Sequence, residues 1–256
     1  GIPATANTAN PGTINYPTAG TYTVSLVVSN ECGPSTAATQ SFTVNVAPVL
    51  TNTTLSQTIC SGNQTTLVNL TATPAGTTFT WTAVATPGIT GFTSAGTNTI
   101  PVQTISTTNA NPGTVTYTIV PTFNGCIGAS VNYIINVNPA PTITTQPNSS
   151  TVCLNGVPTP LVVSLSSVAG SPTYQWFSNT VNSTTGGTLI SGATSATFTP
   201  PANTVGTLYY YCIITLSSGG CSSLNSNIAT VTVNPLPSIT TQPLLTQNGC
   251  VGVTIS

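Results

Sequence analysis

Basic side chains are missing from this 256-residue sequence. It contains no Lys, Arg or His, and Glu31 is its only acidic residue. General acid–base catalysis needs His, Asp, Glu or Lys beside the reacting proton, and an activated Ser or Cys nucleophile needs a base next to it. The composition therefore predicts a protein that is not an enzyme, with no catalytic residues and no cofactor.

The same absence limits the partners that the chain can bind. Metal sites use imidazole, carboxylate and thiolate ligands, and phosphate groups of nucleic acids or anionic lipids are bound by Lys and Arg. We therefore expect no metal site and no nucleic-acid partner. The longest apolar run, Leu208 to Ile214, is far shorter than the roughly 20 residues that span a bilayer, so we expect no membrane insertion by this segment.

Seven cysteines indicate an oxidising compartment. The sequence begins Gly1-Ile2-Pro3, with neither an initiator Met nor a signal peptide. We interpret it as an internal window of a longer secreted protein, located outside the cell or on its surface. Because 39% of its residues are hydrophobic and these are patterned, we expect a folded chain and not a disordered one.

Internal repetition organises the sequence. Asn138-Pro139-Ala140-Pro141 recurs as Asn234-Pro235-Leu236-Pro237, 96 residues later. A weaker copy, Asn45-Val46-Ala47-Pro48, aligns with Asn136-Val137-Asn138-Pro139 at an offset of 91. Each copy follows an alternating apolar segment, as in Val131, Tyr133, Ile135 and Val137. Linkers of the Pro-x-Pro kind are extended and semi-rigid. The pattern predicts β-structured units arranged as an extended rod.

Only strand signals occur within a unit. Phe79, Trp81 and Ala83 alternate with polar residues, and so do Leu208, Tyr210, Cys212 and Ile214; such period-2 runs are typical of half-buried strands. We predict an all-β fold of tandem β-sandwiches with Trp81, Trp176 and Tyr210 as core aromatic residues. The expected domains are 1–47 (the C-terminal part of one unit), 48–138, 139–235, and 236–256 (the start of the next unit).

The cysteines follow the repeat. Cys60, Cys153 and Cys250 each come shortly after a linker, whereas Cys32, Cys126 and Cys221 each come shortly before a unit ends. We predict disulfides Cys60–Cys126 and Cys153–Cys221 within the units, with Cys32 and Cys250 as half-pairs whose partners lie outside the window. Cys153–Cys212 is an alternative pairing, because sequence alone does not fix connectivity. In the first arrangement Cys212 is an unpaired, buried residue on a strand.

Several segments resemble known repeat families. Gly20-Thr21-Tyr22-Thr23-Val24-Ser25-Leu26 resembles the late strands of a PKD domain, and Tyr174-Gln175-Trp176 with Tyr209-Tyr210-Tyr211-Cys212 resembles bacterial immunoglobulin-like repeats. Tandem units with Asn-Pro-x-Pro linkers are similar to the giant surface adhesins of Bacteroidota, including gliding-motility adhesins exported by the type IX system. The resemblance implies tandem immunoglobulin-like and PKD-like sandwiches, with neighbouring repeats of the same chain as partners.

Three functions are compatible with this reading. The first is the stalk or repeat region of a cell-surface adhesin, which attaches to surfaces or glycans through many weak contacts. The second is self-association into an extracellular filament, as subunit or sheath, because a near-zero net charge favours association. The third is carbohydrate binding on an exposed platform of Tyr209 and Tyr211, although we expect these rings to pack under a loop or against a neighbour instead.

Overall fold

The computed structural model describes residues 2, 4–166, 171–216, 219–242, 251 and 252. They form two compact units. The first comprises the residues up to Ala140 together with 219–221, and the second comprises 141–166, 171–216 and the residues from 222 onward. Every regular element in the described ranges is a β-strand, as the period-2 pattern predicts. In these ranges no helix has the length and apolar character needed to cross a membrane.

The first unit opens with an antiparallel hairpin of β1 (Gly20–Leu26) and β4 (Ala38–Val44), between which β2 (Ser29–Asn30) pairs with β3 (Gly33–Pro34). Tyr22 lies opposite Phe42, and Thr23 lies opposite Ser41. Because side chains alternate between the faces of a strand, one face of the hairpin is mainly apolar and the other carries hydroxyl groups. Thr23 and Ser41 share a hydrogen bond of 2.8 Å on the hydroxyl face.

The remainder of the first unit is a β-sandwich. Its strands are β5 (Val49–Leu50), β6 (Ser56–Cys60), β7 (Val68–Asn69), β8 (Ala72–Thr73), β9 (Thr78–Ala85), β10 (Ile89–Thr90), β11 (Ala95–Thr97), β12 (Thr99–Ile100), β13 (Ser106–Thr107), β14 (Gly113–Phe123), β15 (Cys126–Ile127) and β16 (Val131–Asn138). The large sheet has the order β11-β9-β14-β16-β6, with β15 paired to β14. The short pairs β5–β8, β7–β12 and β10–β13 supply residues that pack against it.

The core of the first unit lies between these two layers. Trp81, Tyr117 and Ile135 from the large sheet pack with Ile100 and Ile105 from the other side, and all five are at most 3% exposed. Burial of each side chain of this size stabilises the fold by roughly 1.5–3 kcal/mol. The apolar residues of β9 and β14 alternate along the chain because only one face of the large sheet meets the core.

A polar group inside this core has its hydrogen-bonding capacity filled. The Gln103 side chain donates to the Tyr117 hydroxyl at 3.0 Å, and its backbone N–H donates to Thr65 Oγ1 at 2.9 Å. Burial raises the pKa of Tyr117 despite the hydrogen bond from Gln103. Buried polar groups that are bonded in this way avoid the desolvation cost of an unpaired group.

The second unit repeats the sandwich. Its strands are β17 (Ile143–Thr145), β18 (Ser150–Cys153), β19 (Leu161–Val162), β20 (Ser164–Leu165), β21 (Pro172–Asn179), β22 (Thr188–Leu189), β23 (Thr197–Phe198), β24 (Gly206–Leu216), β25 (Leu224–Asn225) and β26 (Ala229–Asn234). The large sheet has the order β18-β26-β24-β21-β22, with β25 paired to β24. The core contains Trp176, Tyr210, Cys212, Ile214 and Val231.

One hairpin register occurs three times. We use the term closing hairpins for the pairs β1/β4, β14/β16 and β24/β26, and in each of them a glycine at the start of the first strand lies opposite a valine of the second: Gly20–Val44, Gly113–Val137 and Gly206–Val233. The three glycines are spaced by 93 residues each. In the second and third closing hairpins the apolar face is part of a core, whereas in the first Val24 and Leu26 are 46% and 62% exposed.

Candidate functional site

The cysteines are paired differently from the sequence prediction. Cys60 forms a disulfide with Cys221, across a sequence separation of 161 residues and with a Cα–Cα distance of 4.7 Å. The predicted bonds Cys60–Cys126 and Cys153–Cys221 are not formed. Cys126 and Cys153 are free thiols instead, as are Cys32 and Cys212, and the alternative bond between Cys153 and Cys212 is therefore not formed either.

Strand direction explains this difference. β6 runs parallel to β16, so Cys60 lies opposite Asn138, where β16 ends. Gly113 lies at the same end of the sheet, opposite Val137, whereas Cys126 pairs with Phe123 at the other end of β14. Along a strand this separation amounts to roughly 30 Å, and a disulfide requires Cα atoms within about 7 Å. A bond between Cys60 and Cys126 is therefore geometrically excluded.

The second unit has the same arrangement. β18 runs parallel to β26, which places Cys153 opposite Asn234 at the end of β26. Cys221 comes before β25 and the start of β26 at Ala229 in the chain, but it is part of the first unit, where its sulfur is bonded to Cys60. The predicted bond between Cys153 and Cys221 is therefore not formed.

Residues 219–221 lie closely against the strand end at Cys60. A Cβ at Gly220 would come within 2.9 Å of the Thr58 carbonyl oxygen and 3.0 Å of Ile59 Cα, and the backbone φ there is +70°. Asn138 Nδ2 donates to the Gly219 carbonyl at 3.0 Å. Glycine at position 220 therefore permits both the left-handed turn and the close approach that brings the two sulfur atoms together.

Cys212 is a core residue. It is 0% exposed, and burial raises the pKa of its thiol to about 11. Its backbone N–H donates to Ser226 Oγ at 2.9 Å. Because the thiolate is the reactive form of cysteine, a buried thiol with a raised pKa is unsuited to cross-linking, and Cys212 fills space in the core as a small apolar side chain.

The three aromatic residues predicted for the core are buried. Trp81 Nε1 donates to the Thr99 carbonyl at 3.0 Å, and Trp176 Nε1 donates to the Ser195 carbonyl at 2.9 Å. The two indoles therefore occupy equivalent places in their units. The ring of Tyr210 lies 5.8 Å from that of Phe198, and burial raises the pKa of its phenol.

The proposed tyrosine platform is not formed. Tyr211 is 2% exposed and stacks on Phe177 with ring centroids 5.3 Å apart and an interplanar angle of 8°. Gly187 covers the ring, since a Cβ there would come within 2.7 Å of the Tyr211 hydroxyl oxygen. Tyr209 is half-buried. A sugar in solution therefore has no access to the face of Tyr211, and the packing beneath a loop is the arrangement observed.

Cys32, one of the predicted half-pair cysteines, lies next to the only acidic residue in a turn. Cys32 is exposed in the turn between β2 and β3, beside Glu31. Cys250 lies outside the described residues. Within the part of the chain that the structure describes, no three or more His, Cys, Asp or Glu side chains are grouped closely enough to hold a metal ion.

A polar cleft of 400 Å³ lies beside β7 and is lined mainly by Thr and Asn residues. Asn52, in its wall, accepts a hydrogen bond from the Thr71 backbone N–H at 2.9 Å and donates one to the Asn69 carbonyl at 2.8 Å. These amide groups are bonded to the protein itself. The cleft therefore offers no unpaired buried group that would select a ligand.

Comparison with known proteins places both sandwiches among domain families. Residues 57–141 match the PKD-like domain family, and residues 142–235 match a domain family of unknown function, DUF8696. No curated protein matches the chain.

Several solved structures of more than one domain are similar to the chain. Extracellular domains 3–5 of Drosophila OTK are 14% identical, with 84% of this chain and 71% of that chain covered and a TM-score of 0.45. Mouse cadherin-23 EC22-24 is 11% identical, with 84% and 74% covered and a TM-score of 0.30. The fibronectin(III)-like modules of Clostridium thermocellum CbhA are 12% identical, with 77% and 100% covered and a TM-score of 0.31.

The sheets and the family match together define the fold class. Both units are built as two packed layers of strands, and the first contains the PKD-like match. The chain is a tandem of immunoglobulin-like β-sandwich domains, one of which is PKD-like.

Proposed function

We propose that the chain is a structural repeat region, or stalk, of a large secreted cell-surface adhesin of the kind used by gliding Bacteroidota. The observation that carries this proposal is the closing-hairpin register, which occurs three times at intervals of 93 residues. In a stalk, each further copy of the sandwich unit would add to the distance between the cell surface and the binding region. Modules of this fold serve mainly as spacers and binding surfaces, and the composition offers no residues for general acid–base catalysis.

The charge of the chain suits this role. With one acidic residue and no basic ones, the repeats are not repelled by surfaces of either sign. Hydroxyl groups such as those on the polar face of β1/β4 solvate the surface in place of charges. Contacts made by such a surface should vary little with ionic strength, because there is little charge to screen.

An in-frame deletion in the cells that carry the protein tests the proposal. Removal of residues 142–235, one matched domain, is combined with Cys60→Ser because Cys221, the partner of Cys60, is lost with the segment. Compared with Cys60→Ser alone, the deletion should reduce attachment of cells to a surface while the shortened protein still reaches the cell surface. The matched control replaces the same residues with an unrelated β-sandwich of equal length. If the deleted domain acts only as a spacer, the replacement should restore attachment. If the domain itself contacts the surface, the replacement should not restore it. Unchanged attachment after the deletion, with the protein detected on the surface, would contradict the proposal.

Self-association into an extracellular filament is the second candidate. The apolar face of β1/β4 favours it, since Val24 and Leu26 are substantially exposed there and no net charge opposes contact between copies. In electron micrographs, filaments with regular lateral contacts would support this function. The variant Leu26→Gln should then disperse them, whereas Thr39→Gln, on the hydroxyl face, should not. Single particles at all concentrations would support the stalk instead.

A further inference from the structure

The free thiols of Cys153 and Cys126 occupy the same places in the repeat as the two cysteines that are bonded. Cys153 follows Cys60 by 93 residues, and Cys221 follows Cys126 by 95. We use the term strand-end cysteines for Cys60 and Cys153, and hairpin cysteines for Cys126 and Cys221.

The two strand-end cysteines have the same backbone environment. Cys60 lies opposite Asn138 in a parallel pair of strands, and Cys153 lies opposite Asn234 in another. The residue that follows each cysteine donates its N–H to that asparagine's carbonyl, at 2.7 Å from Ser61 and at 2.8 Å from Leu154. Cys153 is therefore held in the position from which Cys60 forms its bond.

The two hairpin cysteines are also equivalent. Asn138 donates through Nδ2 to the carbonyl of Gly219, two residues before Cys221, at 3.0 Å. Asn45 does the same to the carbonyl of Asn124, two residues before Cys126, at 3.3 Å. The sulfur atoms lie near linker carbonyls as well, with Cys221 Sγ at 3.8 Å from Pro139 O and Cys126 Sγ at 3.7 Å from Asn45 O.

The free and the bonded cysteines differ in how closely a second segment packs against them. Cys60 is 6% exposed because Gly220 lies on the backbone of Thr58 and Ile59. Among the described residues none covers Cys153 in this way, and Cys153 is exposed. Conversely, a Cβ at Gly125, which precedes Cys126 as Gly220 precedes Cys221, would meet no atom within 4 Å. Cys153 thus resembles Cys60 without a hairpin segment packed against it, and Cys126 resembles Cys221 without a strand end beneath it.

We propose that Cys153 and Cys126 are sites of disulfide bonds to further repeats of the same polypeptide. Cys153 bonds to the hairpin cysteine of the repeat that follows, as Cys60 bonds to Cys221, and Cys126 bonds to the strand-end cysteine of the repeat that precedes. Sulfur bridges then run along the chain from each repeat to the next. The inference rests on the tandem-repeat part of the proposed function and does not depend on adhesion.

The bond forms by thiol–disulfide exchange with a low-molecular-weight disulfide such as oxidised glutathione. The Cys153 thiolate attacks one glutathione sulfur, and one reduced glutathione leaves as the mixed disulfide forms. The hairpin thiolate then attacks the Cys153 sulfur and releases the second glutathione. The two protein thiols lose two electrons and two protons in total, and the oxidant gains them.

Disulfide mapping of the protein taken unreduced from cells tests the pairing. Free thiols are first blocked with iodoacetamide, the chain is digested with pepsin, and linked peptides are identified by mass spectrometry. We expect Cys153 linked to a cysteine from a hairpin segment of another repeat, and Cys126 linked to a cysteine from a strand-end segment. Recovery of either residue in blocked form, as Cys60–Cys126 or Cys153–Cys221, or in a bond between two separate polypeptides, would overturn the proposal.

A lengthened chain provides the second measurement. A further copy of residues 142–235 is placed directly after residue 235, and the protein is equilibrated in a glutathione redox buffer. We expect Cys153 of the first copy to bond with Cys221 of the second, while Cys60 keeps its bond to the first Cys221, which also reports that the chain is folded. With Cys153→Ser in the first copy, the second Cys221 should label fully with a maleimide. A first-copy Cys153 that labels to the same extent as in the original chain would overturn the proposal.

Discussion

The backbone of Gly96 lies directly against the indole ring of Trp81, so that a Cβ at position 96 would stand only 2.3 Å from Cζ2 of the ring. Trp81 is 3% exposed and also packs edge-on against Tyr117 at 5.3 Å. The variant Gly96→Ala must therefore displace the central aromatic residue of the first core.

We expect Gly96→Ala to lower the free energy of unfolding by about 1–3 kcal/mol, the usual cost of overpacking a core. Urea titration followed by tryptophan fluorescence measures this change. Thr97→Ala, on the neighbouring exposed position of the same strand, is the control and should have an effect below about 0.5 kcal/mol. Equal stability of the two variants would contradict the close packing at Gly96.

Removal of the disulfide should distinguish the observed pairing from the one that the sequence suggested. In the chain-entropy treatment, closing a loop of 161 residues contributes at most about 5 kcal/mol. In the isolated 256-residue chain, Cys221→Ser should therefore lower the thermal midpoint by on the order of 10 °C. Cys126→Ser should leave it unchanged, because Cys126 is a free thiol in this chain. Calorimetry without reducing agent measures both. A large effect of Cys126→Ser would indicate that Cys126 is bonded in solution.

The thiols should differ sharply in reactivity. Cys153 is exposed, whereas Cys212 is fully buried with a pKa raised to about 11. In the isolated 256-residue chain at pH 8, we expect a thiol reagent to modify Cys153 within minutes and to modify Cys212 only after denaturation, because the reagent needs an accessible thiolate. Peptide mapping after timed quenching measures the modification rates of the two thiols. The variants Cys153→Ser and Cys212→Ala identify which labelled peptide belongs to which cysteine. Rapid modification of Cys212 in the native protein would contradict its place in the core.

Stability should be nearly independent of pH until the solution is strongly alkaline. Burial raises the pKa values of Tyr117, Tyr133 and Tyr210, so the folded state binds these protons more tightly than the unfolded state does. This contribution is fully present below the ordinary tyrosine pKa of about 10 and is lost as the pH rises through the raised values. The buried Cys212 thiol likewise stabilises the folded state at low pH, and this contribution is lost as the pH rises from about 9 towards 11.

Between about pH 5 and 9 we expect a flat free energy of unfolding, because the chain has no His and a single side-chain carboxylate. Denaturant titrations at intervals of one pH unit measure the profile. Tyr210→Phe removes one of the buried phenols and should make the alkaline decrease shallower. A steep change near neutral pH would mean that some other group titrates on unfolding.

Much of the fold follows from the sequence. The alternation in strands such as β9 and β14 specifies which side chains face inward, and Trp81, Trp176 and Tyr210 are accordingly buried. The all-β class and the tandem arrangement follow from this alternation and from the repeated linker. These features depend on local periodicity, which a single sequence displays directly.

The cysteine pairing did not follow from the sequence, because it depends on strand direction. A bond from Cys60 to Cys126 and a bond from Cys60 to Cys221, one period later, fit the same spacing pattern. Only the parallel pairing of β6 with β16 places Cys60 at the end of the sheet remote from Cys126. The burial of Tyr211 agrees with the expectation that its ring packs beneath a loop, although the residue that covers it, Gly187, has no side chain to signal the contact.

The Cys60–Cys221 bond also determines how the chain would respond to pulling. A force applied upstream of residue 60 and downstream of residue 221 passes through the sulfur atoms and bypasses the residues between them. If these residues were unfolded and pulled straight, they would span roughly 550 Å. While the disulfide is intact, they carry no load. A chain cross-linked in this way therefore extends little under force. Cleavage of one peptide bond between Cys60 and Cys221 would leave its two ends covalently connected through the disulfide.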